Sequence, residues 1–106
     1  MTLPTPTAVQ VRAALGNARP HVAEVLARYG AANLRMFGSV ARGDAREGSD
    51  LDLLVDLLPG HGNELLRVAG FAEELSDILG LGVDVVAPTL LRDEVSSSAL
   101  ADAVAV

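Results

Sequence analysis

Hydrophobic residues recur at helical spacing in the first third of the chain, which predicts two helices. Thr5 has the residue type of a helix N-cap, and the apolar positions that follow it predict a helix over residues 6–16. A second helix is predicted over residues 19–29, and Gly30 has the residue type that commonly ends a helix. These two helices precede the first segment with the composition of a strand.

The rest of the chain alternates between short apolar runs and one long helical pattern. The predicted elements are strands over residues 34–37, 50–56 and 82–87, a helix over 64–79 capped by Asn63, and a last helix beginning at Thr89. The residues predicted to form the buried stripe of the long helix are Leu65, Val68, Ala72, Leu75 and Leu79. This order predicts an α+β fold with α/β-type alternation, a small mixed β-sheet with helices packed mainly on one face.

The composition limits the size and the kind of core. With 106 residues the chain is predicted to be one domain over residues 1–106. Half of the residues are hydrophobic but only 3% are aromatic, so the core should be aliphatic. The mean hydropathy of +0.35 is high for a small monomer, which predicts apolar surface covered by a partner or by another copy of the chain.

The charge and the missing residue types exclude several classes of protein. A net charge of −6 counts against direct nucleic-acid binding, which needs clustered basic residues. Because the chain contains no cysteine, neither disulfides nor thiolate chemistry is available. The sequence shows no signal-peptide pattern and no apolar run long enough to span a membrane. We therefore expect a soluble, cytoplasmic protein that does not associate with membranes.

Two aspartates in the second predicted strand are the first candidates for chemistry. Asp50 and Asp52 are two residues apart, so their side chains leave the same face of a strand with Cα atoms about 6.6 Å apart. At an effective dielectric constant of about 20, their repulsion costs roughly 2–3 kcal/mol. A divalent cation would offset that cost. The alternative is that both acids simply face solvent on an edge strand.

The turn after the first predicted strand is a candidate phosphate-binding site. Gly38 permits a sharp turn and a close approach to the backbone, and Ser39 offers a hydroxyl at the start of a helix. Ser39 could also be a helix cap, which is compatible with binding phosphate. Arg42 could either reach phosphates or be merely exposed. His21 and His61 are predicted to be surface residues, because no carboxylate or serine stands at triad-like spacing from them.

The two candidate groups stand at a fixed spacing, with ten residues between Ser39 and Asp50. This spacing resembles the Gly-Ser-x10-Asp-x-Asp motif of the DNA polymerase β-like nucleotidyltransferase superfamily, which Gly38, Ser39, Asp50 and Asp52 match. The longer run GSVARGDAREGSDLDLLV is most similar to the minimal nucleotidyltransferases, which often occur as antitoxins beside a HEPN-domain ribonuclease toxin. The resemblance implies a polymerase β-like fold with Asp84 as a third carboxylate. From its spacing alone, Asp84 could equally belong to an ordinary half-exposed strand.

The resemblance also implies an activity. This activity is the Mg²⁺-dependent transfer of AMP from ATP to a protein hydroxyl, with two magnesium ions bound. The implied acceptor is a tyrosine of a HEPN toxin, and the implied role is that of the antitoxin in a type VII-like toxin–antitoxin pair. One alternative is a non-catalytic antitoxin or binding module that occludes its partner. A weaker alternative is transfer to a small molecule such as an aminoglycoside, which would need additional substrate-binding structure. The implied residues are Asp50, Asp52 and Asp84 for catalysis and metal binding, and Gly38, Ser39 and Arg42 for nucleotide binding.

Overall fold

A computed structural model describes residues 3–90, 101 and 103–106 of the chain, and these residues form a mixed α+β fold. The elements in chain order are α1 (Pro6–Asn17), α2 (Arg19–Arg28), β1 (Ala31–Phe37), α3 (Gly38–Arg42), β2 (Leu51–Leu57), α4 (Glu64–Leu79), β3 (Val83–Val86), a 3-10 turn (Pro88–Leu90) and β4 (Val104–Ala105). The predicted fold class is confirmed.

The ends of the helices follow the capping residues of the sequence. The Thr5 hydroxyl accepts a hydrogen bond from the backbone N–H of Ala8 at 3.2 Å, so α1 begins where its cap predicts. Asn63 caps α4 in the same way, accepting from the N–H of Leu66 at 3.0 Å. Gly80 ends α4 in the left-handed conformation, with φ of 70°.

The four strands form one mixed sheet in the order β3-β2-β1-β4. β1 is antiparallel to both β2 and β4, whereas β2 and β3 are parallel and are connected through α4. β1 begins three residues earlier than predicted and contains a bulge, where Asn33 has a positive φ of 54°. β2 begins at Leu51, so Asp50 immediately precedes the strand instead of being its first residue.

The described residues of the last part of the chain differ from the prediction. The helix predicted to begin at Thr89 is replaced, as far as residue 90, by the 3-10 turn, and its remainder lies outside the described residues. The short strand β4 was not predicted. No helix within residues 3–90, 101 and 103–106 is both long and apolar enough to cross a membrane.

The core lies between the helices and one face of the sheet, and it is aliphatic as predicted, with Phe71 as its aromatic exception. Its fully buried large side chains include Leu51, Leu53, Val55, Leu75 and Val25. The prediction that Leu65 belongs to the buried stripe of α4 is wrong, because its side chain is 64% exposed. The buried side of α4 instead includes Arg67, Val68, Phe71 and Leu75.

Arg67 joins three segments of backbone beneath α4. Its Nε donates to the carbonyl oxygen of Tyr29 at 2.9 Å, and its Nη2 donates to those of Gly30 at 2.6 Å and Leu58 at 2.9 Å. Because only 7% of the residue is exposed, these bonds provide the polar partners that a buried guanidinium requires. Arg67 thus fixes the end of α2 and the end of β2 against α4.

Candidate active site

A sharp turn follows β1 and leads directly into α3. Gly38, the first residue of α3, has a φ of 69°, which glycine adopts without strain. The N-cap position belongs to Phe37, so the expectation that Ser39 caps the helix is wrong. Ser39 lies inside the first turn, and its carbonyl oxygen accepts from the N–H groups of Gly43 at 3.0 Å and Asp44 at 2.9 Å. Ser39 therefore has no capping duty in this fold.

The start of α1 holds the segment that follows this turn. The backbone N–H of Thr5 donates to the Gly43 carbonyl at 2.8 Å, and its hydroxyl donates to the carbonyl of Ala45. Arg12 of α1 adds a hydrogen bond from Nη2 to the Ala41 carbonyl at 2.7 Å. Sequence reasoning identified Thr5 only as a helix cap, because nothing local to it indicates these distant contacts.

The register of the sheet places two candidate acids side by side. Asp52 of β2 is paired with Phe37 of β1 on one side and with Asp84 of β3 on the other. Paired residues of adjacent strands point to the same face, with backbones about 4.8 Å apart. The structure therefore brings Asp84 beside Asp52, and Asp50 precedes them at the start of β2. Of the three acids, Asp52 is half-buried, while Asp50 and Asp84 are exposed.

The pKa of Asp52 shows that these three acids interact. Burial raises the pKa of the Asp52 carboxyl above its ordinary value, and the negative charges of Asp84 and Asp50 raise it further. The positive charge of Arg42 acts in the opposite direction and lowers the pKa. Asp52 is thus the centre of a cluster of negative charge, and Arg42 is close enough to oppose it.

Gly38 also lies directly against the central acid. A Cβ added to Gly38 would overlap Oδ2 of Asp52 and stand 3.1 Å from its Cγ. Only a residue without a side chain allows the turn and this carboxylate to be so close. The Gly-Ser turn and the aspartate of β2 therefore form one continuous site.

The donor atoms of this cluster suit a hard cation. Carboxylate oxygens are the ligands that Mg²⁺ prefers, and the ion usually takes one or two of them together with waters and substrate phosphates. Among the described residues, no three His, Cys, Asp or Glu side chains are placed closely enough to hold a metal by themselves. A magnesium site completed by a nucleotide needs no such preformed group, so Asp50, Asp52 and Asp84 fit this ion.

Arg42 is the last residue of α3, and its positive charge acts on Asp52. Its Nε is 3.3 Å from Oδ2 of Asp44, and both side chains are about half exposed. Because an exposed ion pair is weak, this contact leaves Arg42 able to exchange Asp44 for another anion. Its position is therefore compatible with the predicted contact to a phosphate.

An apolar groove of about 260 Å³ lies elsewhere, between α2, β1 and the end of β4. Its lining residues are Leu15, Arg19, Val22, Ala23, Leu26, Asn33, Leu34, Ala105 and Val106. No acid contributes to this groove, so the candidate active site is the open carboxylate cluster.

A strand, a Gly-Ser turn and a short helix are followed by Asp50 just before the next strand and Asp52 within it, and this arrangement is that of a nucleotidyltransferase. The chain belongs to the nucleotidyltransferase domain family, whose sequence profile matches residues 19–106. The protein is therefore an enzyme of this class.

Individual relatives agree with this assignment. The chain is 36% identical over 86 residues to the protein adenylyltransferase MntA of Thermococcus cleftensis, covering 79% of this chain and 83% of the relative. A solved minimal nucleotidyltransferase is 42% identical, with a TM-score of 0.71 over 85% of this chain and 90% of the other. A toxin–antitoxin complex with AMP-PNP shares the fold at 17% identity, with a TM-score of 0.67 over 81% and 69% of the two chains.

Proposed function

We propose that this protein transfers AMP from ATP to a hydroxyl group of another protein. The observation that carries the proposal is the side-by-side placement of Asp52 and Asp84, with the Gly38 turn packed against Asp52. The relative from Thermococcus cleftensis, which is named a protein adenylyltransferase, supports both the nucleotide and the class of acceptor. The reaction forms a bond from the acceptor oxygen to the α-phosphorus and releases pyrophosphate.

In this proposal the three acids hold two magnesium ions with the triphosphate. When bound, the ions would offset the charge of the phosphates and align attacking and leaving oxygens. Asp52 stands at the centre, flanked by Asp50 and Asp84. The turn at Gly38 and Ser39 presents its backbone to a phosphate, Ser39 donates its hydroxyl to it, and Arg42 supplies positive charge.

We assign the acceptor to a tyrosine of a HEPN-domain toxin, which makes this protein the antitoxin of a type VII-like pair. A tyrosine hydroxyl has a pKa near 10, so at neutral pH its proton must be removed as the bond to phosphorus forms. Asp84 is exposed and lies beside Asp52 on the neighbouring strand, so we assign it the role of accepting that proton. A shared fold with a toxin–antitoxin complex supports a toxin as the partner.

One observation favours a second candidate, in which the protein neutralises its partner by occlusion alone. Leu65 and Leu66 at the start of α4 are 64% and 73% exposed, and Leu58 nearby in the chain is 45% exposed. Adjacent exposed leucines are typical of surfaces that bind another protein. Such a surface could also join two copies of this chain. The two candidates differ in whether the carboxylates are needed.

The proposed function is tested by thermal unfolding of the wild-type protein and Asp52→Asn, each with and without Mg²⁺ and ATP. We expect the ligands to raise the melting temperature of the wild type and to have almost no effect on Asp52→Asn. Asp56→Asn is the matched control, because it removes the same charge from the same strand, where Asp56 is paired with Arg35. It should retain the ligand-dependent increase.

The second part of the test measures labelled AMP on the co-purified partner. Incorporation by the wild type and by Asp56→Asn, together with its loss in Asp52→Asn, would support transfer. If Asp52→Asn neutralises the partner as well as the wild type does, occlusion is the function instead.

A further inference from the structure

Gly82 lies immediately before β3, at a position where its backbone does not require glycine. Its φ is outside the left-handed region in which the other turn glycines of the described chain are found. It also takes part in the sheet, because its carbonyl oxygen accepts a hydrogen bond from the N–H of Leu51 at 2.9 Å. Alanine or valine would suit such an extended position better than glycine does.

The surroundings of Gly82 supply a different reason for glycine. A Cβ added here would overlap Oδ1 of Asp50, and its next nearest atoms would be Cγ at 3.0 Å and Cβ at 3.8 Å of the same residue. The carboxylate of Asp50 therefore lies directly over the Cα of Gly82. At Gly38 both the positive φ and the contact with Asp52 require glycine, whereas at Gly82 only the contact with Asp50 does.

We infer that Gly82 is a positioning residue, whose bare Cα lets the carboxylate of Asp50 lie against the start of β3. Gly82 is two residues before Asp84 in the chain, and Asp84 is paired with Asp52, so this contact places Asp50 near the other two acids. The inference rests on the proposed function, because it concerns the metal site formed by these acids. Gly82 thus determines where the first of the three acids presents its oxygens.

The geometry also predicts how a side chain at position 82 is accommodated. The overlapping atoms are the far end of a flexible side chain, so rotation of Asp50 relieves the clash and the backbone need not move. Gly82→Ala should therefore fold normally, and the loss of glycine's backbone freedom in the unfolded state favours an equal or higher melting temperature. The displaced carboxylate, however, no longer points into the acid cluster.

The test is a titration with Mn²⁺, followed by its paramagnetic resonance signal, of the wild type, Gly82→Ala and Gly82→Val. We expect the dissociation constant to rise about tenfold in Gly82→Ala, which is typical when a residue that orients a ligand is changed. Gly82→Val should weaken binding further. Gly16→Ala is the control, because an added Cβ there meets no atom within 4 Å. It should bind Mn²⁺ as the wild type does.

A combination with Asp50→Ala distinguishes positioning of Asp50 from a general effect on the strand. Once Asp50 has lost its carboxylate, adding Gly82→Ala should not weaken the residual Mn²⁺ binding any further. Unchanged affinity in Gly82→Ala, with a loss in Asp50→Ala, would overturn the role of Gly82 and leave the proposed function standing. Unchanged affinity in Asp50→Ala would overturn the metal site and the role of Gly82 with it.

Discussion

At the scale of single residues, spacing alone was enough to single out Asp50 and Asp52, whereas Asp84 was predicted only through the family resemblance. Two acids two residues apart in an apolar strand have an electrostatic cost that is visible in the sequence itself. Asp84 owes its place beside Asp52 to the pairing of β2 with β3, which depends on distant parts of the chain. The role of Gly82 was missed for the same reason, because glycine is needed there only to make room for the Asp50 side chain.

Replacement of Asp84 should separate nucleotide binding from transfer. In Asp84→Asn, Asp50 and Asp52 remain to hold Mg²⁺ with ATP, so calorimetry should detect binding within about tenfold of wild type. Without the base, incorporation of labelled AMP into the partner should fall at least about a hundredfold. Substantial transfer by this variant would instead make Asp84 an ordinary residue of a half-exposed strand.

Tyr29 offers an independent test of the local electrostatics, because it is the one tyrosine in a chain without tryptophan. A hydrogen bond to Glu74 raises the pKa of the Tyr29 phenol above its ordinary value, and burial adds to the effect. In Glu74→Gln the pKa should fall toward that value, because the carboxylate that opposes deprotonation is gone. Alkaline titration of the tyrosinate absorbance measures this pKa. Asp77→Asn, on the same helix, should leave it unchanged.

At the scale of elements, α4 shows where periodicity succeeds and where it fails. The helix and both of its caps were predicted correctly, because they depend on local residues. The buried face was partly wrong, since Leu65 is exposed and Arg67 is buried. Hydrophobicity alone assigned the leucine to the core, whereas the carbonyl groups beneath α4 select the arginine.

Removal of the Arg67 guanidinium should destabilise the fold strongly. Arg67→Leu retains an apolar side chain but leaves the buried carbonyl oxygen of Gly30 and the partly buried ones of Tyr29 and Leu58 without this donor. We expect the free energy of unfolding in urea to fall by at least about 2 kcal/mol. Arg28→Leu is the comparison, since its ion pair with Glu74 is exposed and should contribute less than about 1 kcal/mol. Similar losses in both variants would contradict the role of Arg67.

At the scale of the whole molecule, the sequence predicted the mixed sheet but not all of its members. A helix of the length of α4 between two apolar strands indicates a crossover, and crossovers connect parallel strands. β4 has two exposed residues, too few to produce a recognisable alternation. Its place beside β1 is determined by backbone hydrogen bonds, which the side-chain pattern does not encode.

The parallel pairing of β2 with β3 has a kinetic consequence. β1 and β2 are joined by residues 38–50, whereas β2 and β3 are joined by the longer connection of residues 58–82, which includes α4. We therefore expect the pairing of β2 with β3 to close later. Repulsion among the carboxylates then opposes the late step of folding. Asp52→Asn, which removes the central charge, should accelerate refolding from urea at neutral pH in stopped-flow measurements. A change confined to the unfolding rate would mean that the acids meet only after the transition state.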